Sequence, residues 1–488
     1  MQLADLTPAE RRVWRAFPKG QSVGFGPGDE EAVHGGSWGP ARTVRAEVLR
    51  SLLLNGSRAD GEIAGLWIVG GRISGLLDLS DAVLEHSVRL LGCHFERPPI
   101  LYGARTRRLN LRSSYLPALD AVSLQVDGHL RLSGCEIPGQ VRLGGARLAG
   151  ALFLDGARIG DSDGDEGEEI LQFDHGAVEN DLSAAGAVIH GRFTLTGSTV
   201  GGNLDFDRAE LRAPGHVALD AENLAVGGHL SGEGLRAQGT VNLRGATITR
   251  HLDLVSARLS APGATALRAT SCTIGELWLR GAAPIEGAVN LRRSHVEIVF
   301  AEPRVWPERV GLDGLTYRSL LPPLPAAERL ALLEREDLGY VPHPYEQLAG
   351  AYRLAGDDAA ARTVQLAKQR RRRATLPWYA RCWGHVQDVT VGYGFRPMRA
   401  AVWLVALMLT AATAYGLHRP QPLKPGEAPD FNPVFYTLDL LLPIIDFGQE
   451  KAFKPRGWHQ WLAYLLVVLG WVLATTIVAG VTRAVSRQ

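Results

Sequence analysis

Between residues 128 and 160 the chain repeats itself every 11 residues. Leu130, Val141 and Leu152 share that spacing, as do Leu132, Leu143 and Leu154, and Ile137, Leu148 and Ile159. The small residues Cys135, Ala146 and Ala157 keep the same step. The unit reads roughly Gly-x-Leu-x-Leu-x-Gly-Ala-x-Leu-x. It recurs at Leu66/Leu77/Val88, Leu182/Phe193/Leu204 and Leu230/Val241/Leu252. Longer steps also occur: 21 residues from Val88 to Leu109 and from Leu109 to Leu130, 26 from Leu204 to Leu230, and 25 from Leu252 to Leu277.

Alternation with period two is a strand signal, whereas a helix would need apolar residues at i, i+3, i+4 and i+7. Glycine between the short strands supplies corners, because positive φ carries no Cβ penalty there. Two 11-residue units therefore predict one coil of about 22 residues in a β-solenoid, and roughly ten coils rising about 4.8 Å each. Leu, Val, Ile and Phe stack inward as ladders, and Arg, Asp, Thr and His point outward. A single coil cannot bury its own core, so stability comes from stacking on its neighbours.

Composition agrees with a turn-rich repeat. Of 488 residues 56 are Gly, about one in nine, against a norm of roughly 7%. Lys plus Arg number 52 and Asp plus Glu 51, a net charge of +1. That balance argues against a dedicated nucleic-acid binder and a disordered acidic tail. Four Cys rule out a disulfide scaffold. Met1-Gln2-Leu3-Ala4-Asp5 has neither a basic nor an apolar leader region, so no cleaved signal peptide is expected.

Four segments follow from the patterning. Residues 1–60 are expected to form an N-terminal helical cap, with Thr7 as N-cap, Pro8 at N1 and an amphipathic helix over 44–54. Residues 61–300 are the solenoid. Its acidic interruption at 161–169 reads as a solvated loop rather than a Ca²⁺ loop, because an EF-hand would want Gly and Glu where Glu166 and Gln172 stand. Residues 301–395 form a small helical linker domain with candidate helices near 325–333, 345–354 and 357–374. Residues 396–488 hold two transmembrane helices.

Ala400 to Leu417 is 18 residues without a charge, and Trp461 to Val481 is 21. Both are long enough for a hydrocarbon core of about 30 Å. Lys368, Arg370, Arg371, Arg372, Arg373, Arg381, Arg396 and Arg399 precede the first span, and Arg483 and Arg487 follow the second. The positive-inside rule then predicts a multi-pass inner-membrane protein with both termini and the solenoid in the cytoplasm. The run Lys368 and Arg370–Arg373 reads as a membrane-surface segment that sets topology and meets anionic lipid.

The connection between the spans, 418–458, should face outward. Its stretch from Val434 to Glu450 is too apolar for an exposed loop and too short to span, which predicts a re-entrant or interfacial helix broken near Pro443. Asp439, Pro443, Asp446, Gly448 and Glu450 are the candidate site residues there: carboxylate rings would form a cation-pore mouth if subunits assemble about an axis. Thr390-Val391-Gly392-Tyr393-Gly394 matches a K⁺-channel filter in letters but precedes the first span. It reads instead as a turn, with Pro397 starting the helix.

No Walker A, His-Glu-x-x-His or Cys-x-x-Cys pattern occurs. Gly35-Gly36-Ser37-Trp38-Gly39 lacks the preceding strand of a nucleophile elbow, and Pro40 follows at once. Cys93, Cys135 and Cys272 occupy the small-residue slot of the repeat and read as core residues. Cys93 and Cys135 are two coils, hence about 9–10 Å, apart, too far for a disulfide. His129, His229 and His251 precede inward Leu and should point outward, and His175 beside Asp174 is a weak polar pairing. No catalytic, cofactor or metal residue is assigned.

The repeat resembles the pentapeptide-repeat-like β-helix proteins of bacteria, which implies a right-handed coil. The whole layout resembles a family of actinobacterial two-helix membrane proteins. The residues that carry this resemblance are Trp38 with Arg45-Ala46-Glu47-Val48-Leu49-Arg50, the Gly-x-Leu-x-Leu coils and Tyr345-Glu346-Gln347-Leu348-Ala349. Gly392-Tyr393-Gly394-Phe395-Arg396-Pro397 and Leu441-Leu442-Pro443-Ile444-Ile445-Asp446 complete the set. Such proteins are often labelled membrane-associated oxidoreductase, a label for which this sequence offers no redox motif. The sequence reading is thus a membrane-anchored, non-enzymatic solenoid scaffold. Its expected partners are membrane lipid, a protein on the solenoid faces and further copies of itself, with no nucleic acid and no cofactor. An oligomeric cation channel with a solenoid sensing domain is one alternative, and the membrane-associated oxidoreductase that the resemblance implies is the other.

Overall fold

The computed structural model describes residues 5–26, 32–162, 164, 167–281, 283–394, 397–424, 426–442 and 446–485. The chain forms two compact units, Met1–Gly356 and Asp357–Gln488. The division falls inside the 301–395 segment that the sequence pattern groups as one linker.

The first unit is a parallel β-solenoid of about 12 turns with about 22 residues per coil. Each coil carries four short strands, two per 11-residue unit, and each strand places one residue in an inward ladder. Leu130 stacks on Leu152, then Leu182, Leu204, Leu230 and Leu252. Val141 stacks on Leu171 and Phe193. Ile137 stacks on Ile159 and Ile189, and Leu148 on Val178 and Val200. These residues are all essentially buried. The sequence step of 11 therefore crosses the coil, and only the step of 22 stacks. The longer steps have a local cause. Leu211 and Leu219 pair with Ala237 and Val241, so the first coil makes an excursion through Gly215 at φ +77° that the next coil lacks.

Corners are tight turns with the third residue in the left-handed region. Gly145 (φ +68°) and Gly156 (φ +63°) sit there, and Ala146 and Ala157 close the turns onto the carbonyls of Leu143 and Leu154. Glycine is not required at every corner: Ser113, Ser123 and Asn223 adopt the same φ of +57°. The side chain after the corner points inward, where Cys135, Ala146 and Ala157 are buried.

The coil count exceeds the ten expected, because strands lie on both sides of the 61–300 bounds. Val23–Gly24 pairs with Ile68–Val69, and Thr43–Arg45 with Arg72–Ser74, so residues 1–60 contribute strands as well as helices. The last strand, Thr316–Leu321, lies beyond residue 300. Weak alternation around Val23 and Thr43 hid these strands; pairing with the next coil creates them.

Helix α1 (Pro8–Ala16) starts as expected: Thr7 caps it, and Glu10 completes a capping box. Helix α2 spans Ala46–Asn55. At the far end α3 (Ala326–Leu333) and α4 (Pro342–Leu354) follow the last coil. Between them Glu336 bridges to Val310, and its carboxylate takes the Leu312 N–H at 2.6 Å and the Arg292 guanidinium at 2.7 Å. That buried carboxylate finishes a coil edge that would otherwise expose open N–H groups.

The second unit contains α5 (Asp358–Ala374), α6 (Trp378–Val391), α7 (Pro397–Leu417), α8 (Pro433–Leu441), the short α9 (Gln449–Ala452) and α10 (Trp458–Val485). Asp357 caps α5 through the Ala360 N–H. The Gly392–Gly394 segment is a turn with Tyr393 at φ +52°, and α7 starts at Pro397. Ala400 packs near Leu473, and Tyr415 near His459, so α7 and α10 run antiparallel. Two stretches, Met398–Leu417 and Trp458–Thr475, are long and apolar enough to cross a membrane. Only 17% and 22% of them is buried within the protein, which sets them apart from core helices of a water-soluble domain.

Candidate functional site

The candidate sites lie in two places: the outer surface of the solenoid and the connection between the apolar helices. In the connection, α8 lodges against α7 and α10. Tyr436 and Leu441 are buried, and a Cβ on Gly470 would stand 2.3 Å from the Leu441 carbonyl oxygen. The glycine is what permits this approach of two backbones.

The structure separates the proposed pore-mouth carboxylates into three roles. Asp439 is buried, and its carboxylate accepts the N–H groups of Phe447 (2.5 Å), Gln449 (2.7 Å) and Glu450 (3.1 Å). It holds the connection on α8 and turns no free oxygen to solvent. Asp446 is exposed, ion-paired with Lys451, and accepts the Gly448 N–H at 2.8 Å. Gly448 supplies the left-handed φ of +78° before α9. Glu450 is exposed, with its carboxyl pushed up by partial burial and by the neighbouring carboxylates of Asp439 and Asp446. Pro443 lies outside the described residues.

The basic run is only partly turned outward. Arg370 makes a two-pronged pair with Asp388 of α6, 2.9 Å at each prong, and Arg373 reaches the same carboxylate at 3.2 Å. Burial works to raise the Asp388 pKa, but the hydrogen bonds and charge of Arg370 and Arg373 outweigh it and hold the carboxyl below its usual range. These two arginines brace α5 against α6. Lys368 and Arg371 are half-buried, and Arg372 is exposed.

On the solenoid, outward residues next to the leucine ladder form a second column. It contains Arg131, Phe153, Ser183, Asp205, Ser231, Asp253, Trp278 and Phe300 in successive register. At one end the rings stack. His229 and His251 are parallel within 3° at 4.7 Å, His251 faces Trp278 at 5.5 Å, and Trp278 meets Phe300 at 6.3 Å. The Arg280 guanidinium lies 4.6 Å over Phe300 and 5.3 Å from Trp278. Trp278 Nε1 donates to Glu276 at 2.8 Å. Toward the other end Arg131 covers Phe153 at 4.4 Å. Between them Asp205 is half-buried, its pKa raised by burial and by Asp207 and Asp155.

His229 and His251 thus face outward as expected, but as members of a stack. The sequence reading missed Trp278, Phe300 and Arg280 as a group. The signal for Trp278, Phe300 and Arg280 was the position one residue past the inward Leu277, Val299 and Leu279.

Other sequence candidates resolve to structural roles. Asp174 accepts from Thr194 (3.0 Å) and the Thr196 N–H (2.9 Å), while His175 takes a corner position at φ +54°. Ser37 lies in a short 3₁₀ turn and donates to the His34 carbonyl. Cys93, Cys135 and Cys272 are buried free thiols. Burial pushes the first two up to about 12 and the third to about 11, which withholds the thiolate that redox or nucleophilic chemistry needs. Of the acidic 161–169 loop, residues 163, 165 and 166 lie outside the described residues. Among the described residues no cluster of three or more metal-ligating side chains occurs.

No family model matches the chain, and no curated protein or solved structure matches it. The fold defines its class: a parallel β-solenoid joined to a helical unit with two candidate membrane helices.

Proposed function

We propose that this protein is a membrane-anchored scaffold whose solenoid, on the cytoplasmic side, holds a protein partner at the bilayer. The observation that supports this reading is the outward stack His229–His251–Trp278–Phe300 with Arg280 above it. Rings locked against one another on a rigid sheet lose little entropy on binding. Trp and Arg are also the residue types that dominate interface energetics. The cytoplasmic side follows from the basic residues ahead of α7.

The test is site-specific photo-cross-linking from position 280 in membranes, followed by the same experiment in a Trp278→Ala/Phe300→Ala background. A discrete cross-linked species that disappears in the double variant supports the scaffold. Absence of any discrete species, or one indifferent to the double variant, overturns it.

A channel is the second reading, favoured by α8 lodged against both apolar helices. Cation flux through liposomes of the full chain that falls in Asp446→Ala supports it. Inserted protein that conducts nothing rejects it and leaves α7 and α10 as anchors.

A further inference from the structure

At one end of the α7–α10 pair the chain builds a pocket of about 180 Å³, several times the roughly 30 Å³ share of one water. Its floor is Tyr415, whose hydroxyl donates to the His459 carbonyl at 3.0 Å. His418, Arg419, Lys454, Arg456 and His459 line the rest with Pro420, Pro455 and Gln421, and among the described residues no carboxylate lines it. The short antiparallel pairing of Gln421–Pro422 with Phe453–Lys454 brings the two basic segments together.

Three cationic side chains, all exposed, line this cavity. Lys424 pairs with Glu427 and Lys451 with Asp446 a few residues away. Arg419, Lys454 and Arg456 make no ion pair among the described residues. The C-terminal dipole of α7 gives Arg419 a reason to stand where it does, since cations are favoured there. The same argument makes the place of Lys454 and Arg456 unfavourable. They directly precede the N-terminus of the 28-residue α10, where a helix favours anions. The two helix ends at the cavity oppose each other, so it is the cationic side chains lining it that make it a receptor for an anion. Two further features narrow the anion. Trp458 and Trp461 beside it are 64% and 76% exposed, as belts at a membrane–water boundary are. The cavity also lies where His418 follows Leu417, the last residue of the apolar α7; if α7 spans a bilayer, that is where the chain leaves the hydrocarbon for the headgroup layer.

We propose that this pocket binds a phosphate group, with Arg419, Lys454 and Arg456 as its ligands, supplied by a phospholipid headgroup or by a free phosphate. The inference rests on the membrane reading for the choice of phosphate and for its lipid source; the cationic lining of the cavity does not depend on it.

The test uses the full chain purified in a nonionic detergent. Calorimetric titration is run with a short-chain phosphatidylglycerol, with inorganic phosphate, and with a short-chain diacylglycerol that lacks phosphate. Saturable binding of the first, the second or both, but not the third, is expected. Lipid alone assigns the site to a headgroup, inorganic phosphate alone to a free anion. Arg419→Gln/Arg456→Gln should weaken binding at least tenfold, as should Lys454→Gln, whose exposed side chain makes misfolding no explanation. Lys424→Gln should leave it unchanged. No saturable binding of either phosphate probe, or equal affinity in all variants, overturns the proposal. Resistance of the protein to alkaline extraction from membranes is measured separately. Extraction with phosphate binding intact would reject the anchor and leave the site standing.

Discussion

Glu10 of α1 and Arg45 at the start of α2 lock together, with the Arg45 Nε 2.7 Å from one carboxylate oxygen and its Nη2 2.8 Å from the other. The Glu10 side chain is fully buried, and it also accepts the N–H groups of Thr7 and Arg45. One carboxylate thus caps a helix and fastens it to the strand Thr43–Arg45 in the first coil. Burial works to raise its pKa, but the hydrogen bonds from Arg45 and the two backbone groups outweigh this and hold it at about 2. A depressed carboxyl stabilises the fold fully above its unfolded value near 4.3, and that contribution fades as pH falls toward 2. The difference amounts to about 3 kcal/mol at neutral pH. Resistance of the protein to urea should fall as pH drops from 5 to 2, and Glu10→Gln should flatten that dependence while lowering stability at pH 7. A pH profile identical in the variant would refute the assignment.

Leu143 is fully buried in the coil stack. Leu143→Ala should cost about 2–5 kcal/mol through lost contacts and the cavity left behind. Leu143→Asp should open the stack, because it buries an unpaired charge. A melting temperature of Leu143→Asp equal to that of the parent would contradict the coil arrangement.

Two glycines in helices should respond with opposite signs. Gly470→Ala forces a methyl against the Leu441 carbonyl, so α8 must shift; a cost of about 1–3 kcal/mol or more is expected. A methyl on Gly350 of α4 would meet nothing within 4 Å, so Gly350→Ala should stabilise by about 0.5–1 kcal/mol through helix propensity. Thermal unfolding of both variants in detergent reads the two signs. A stabilised Gly470→Ala would show that α8 does not pack as described.

Asp439→Ala removes the acceptor of three backbone N–H groups at once. Each unpaired group costs about 1–3 kcal/mol where water is excluded, so the Asp446–Arg456 segment should detach from α8. Limited trypsin digestion should then cut at Lys451 or Arg456 faster than in the parent. An unaltered digestion rate would count against the capping role.

The coil period, the inward ladders, the corners and the two apolar helices were legible in the sequence because each depends on neighbours one coil or one turn away. Leu130, Val141 and Leu152 declare a strand and its stacking partner through spacing alone. The buried Cys135, Ala146 and Ala157 were legible for the same reason: a corner leaves room inside only for a small side chain. The strands at Val23 and Thr43 were not legible, since they stand outside the 11-residue repeat that marks the equally short strands at Leu130, Val141 and Leu152.

The outer surfaces were decided by tertiary structure. His229, His251, Trp278 and Phe300 meet because successive coils place residues about 22 positions apart at one strand spacing. Arg419 and Arg456 line one cavity because the pairing of Gln421–Pro422 with Phe453–Lys454 brings the end of α7 and the start of α10 together. Asp439, read from sequence as a carboxylate of a pore mouth, became a cap once the backbone of residues 447–450 folded onto it. Burial repeats along the chain and leaves a periodic trace, whereas the pairing of charges and rings across a surface depends on which coil lands beside which.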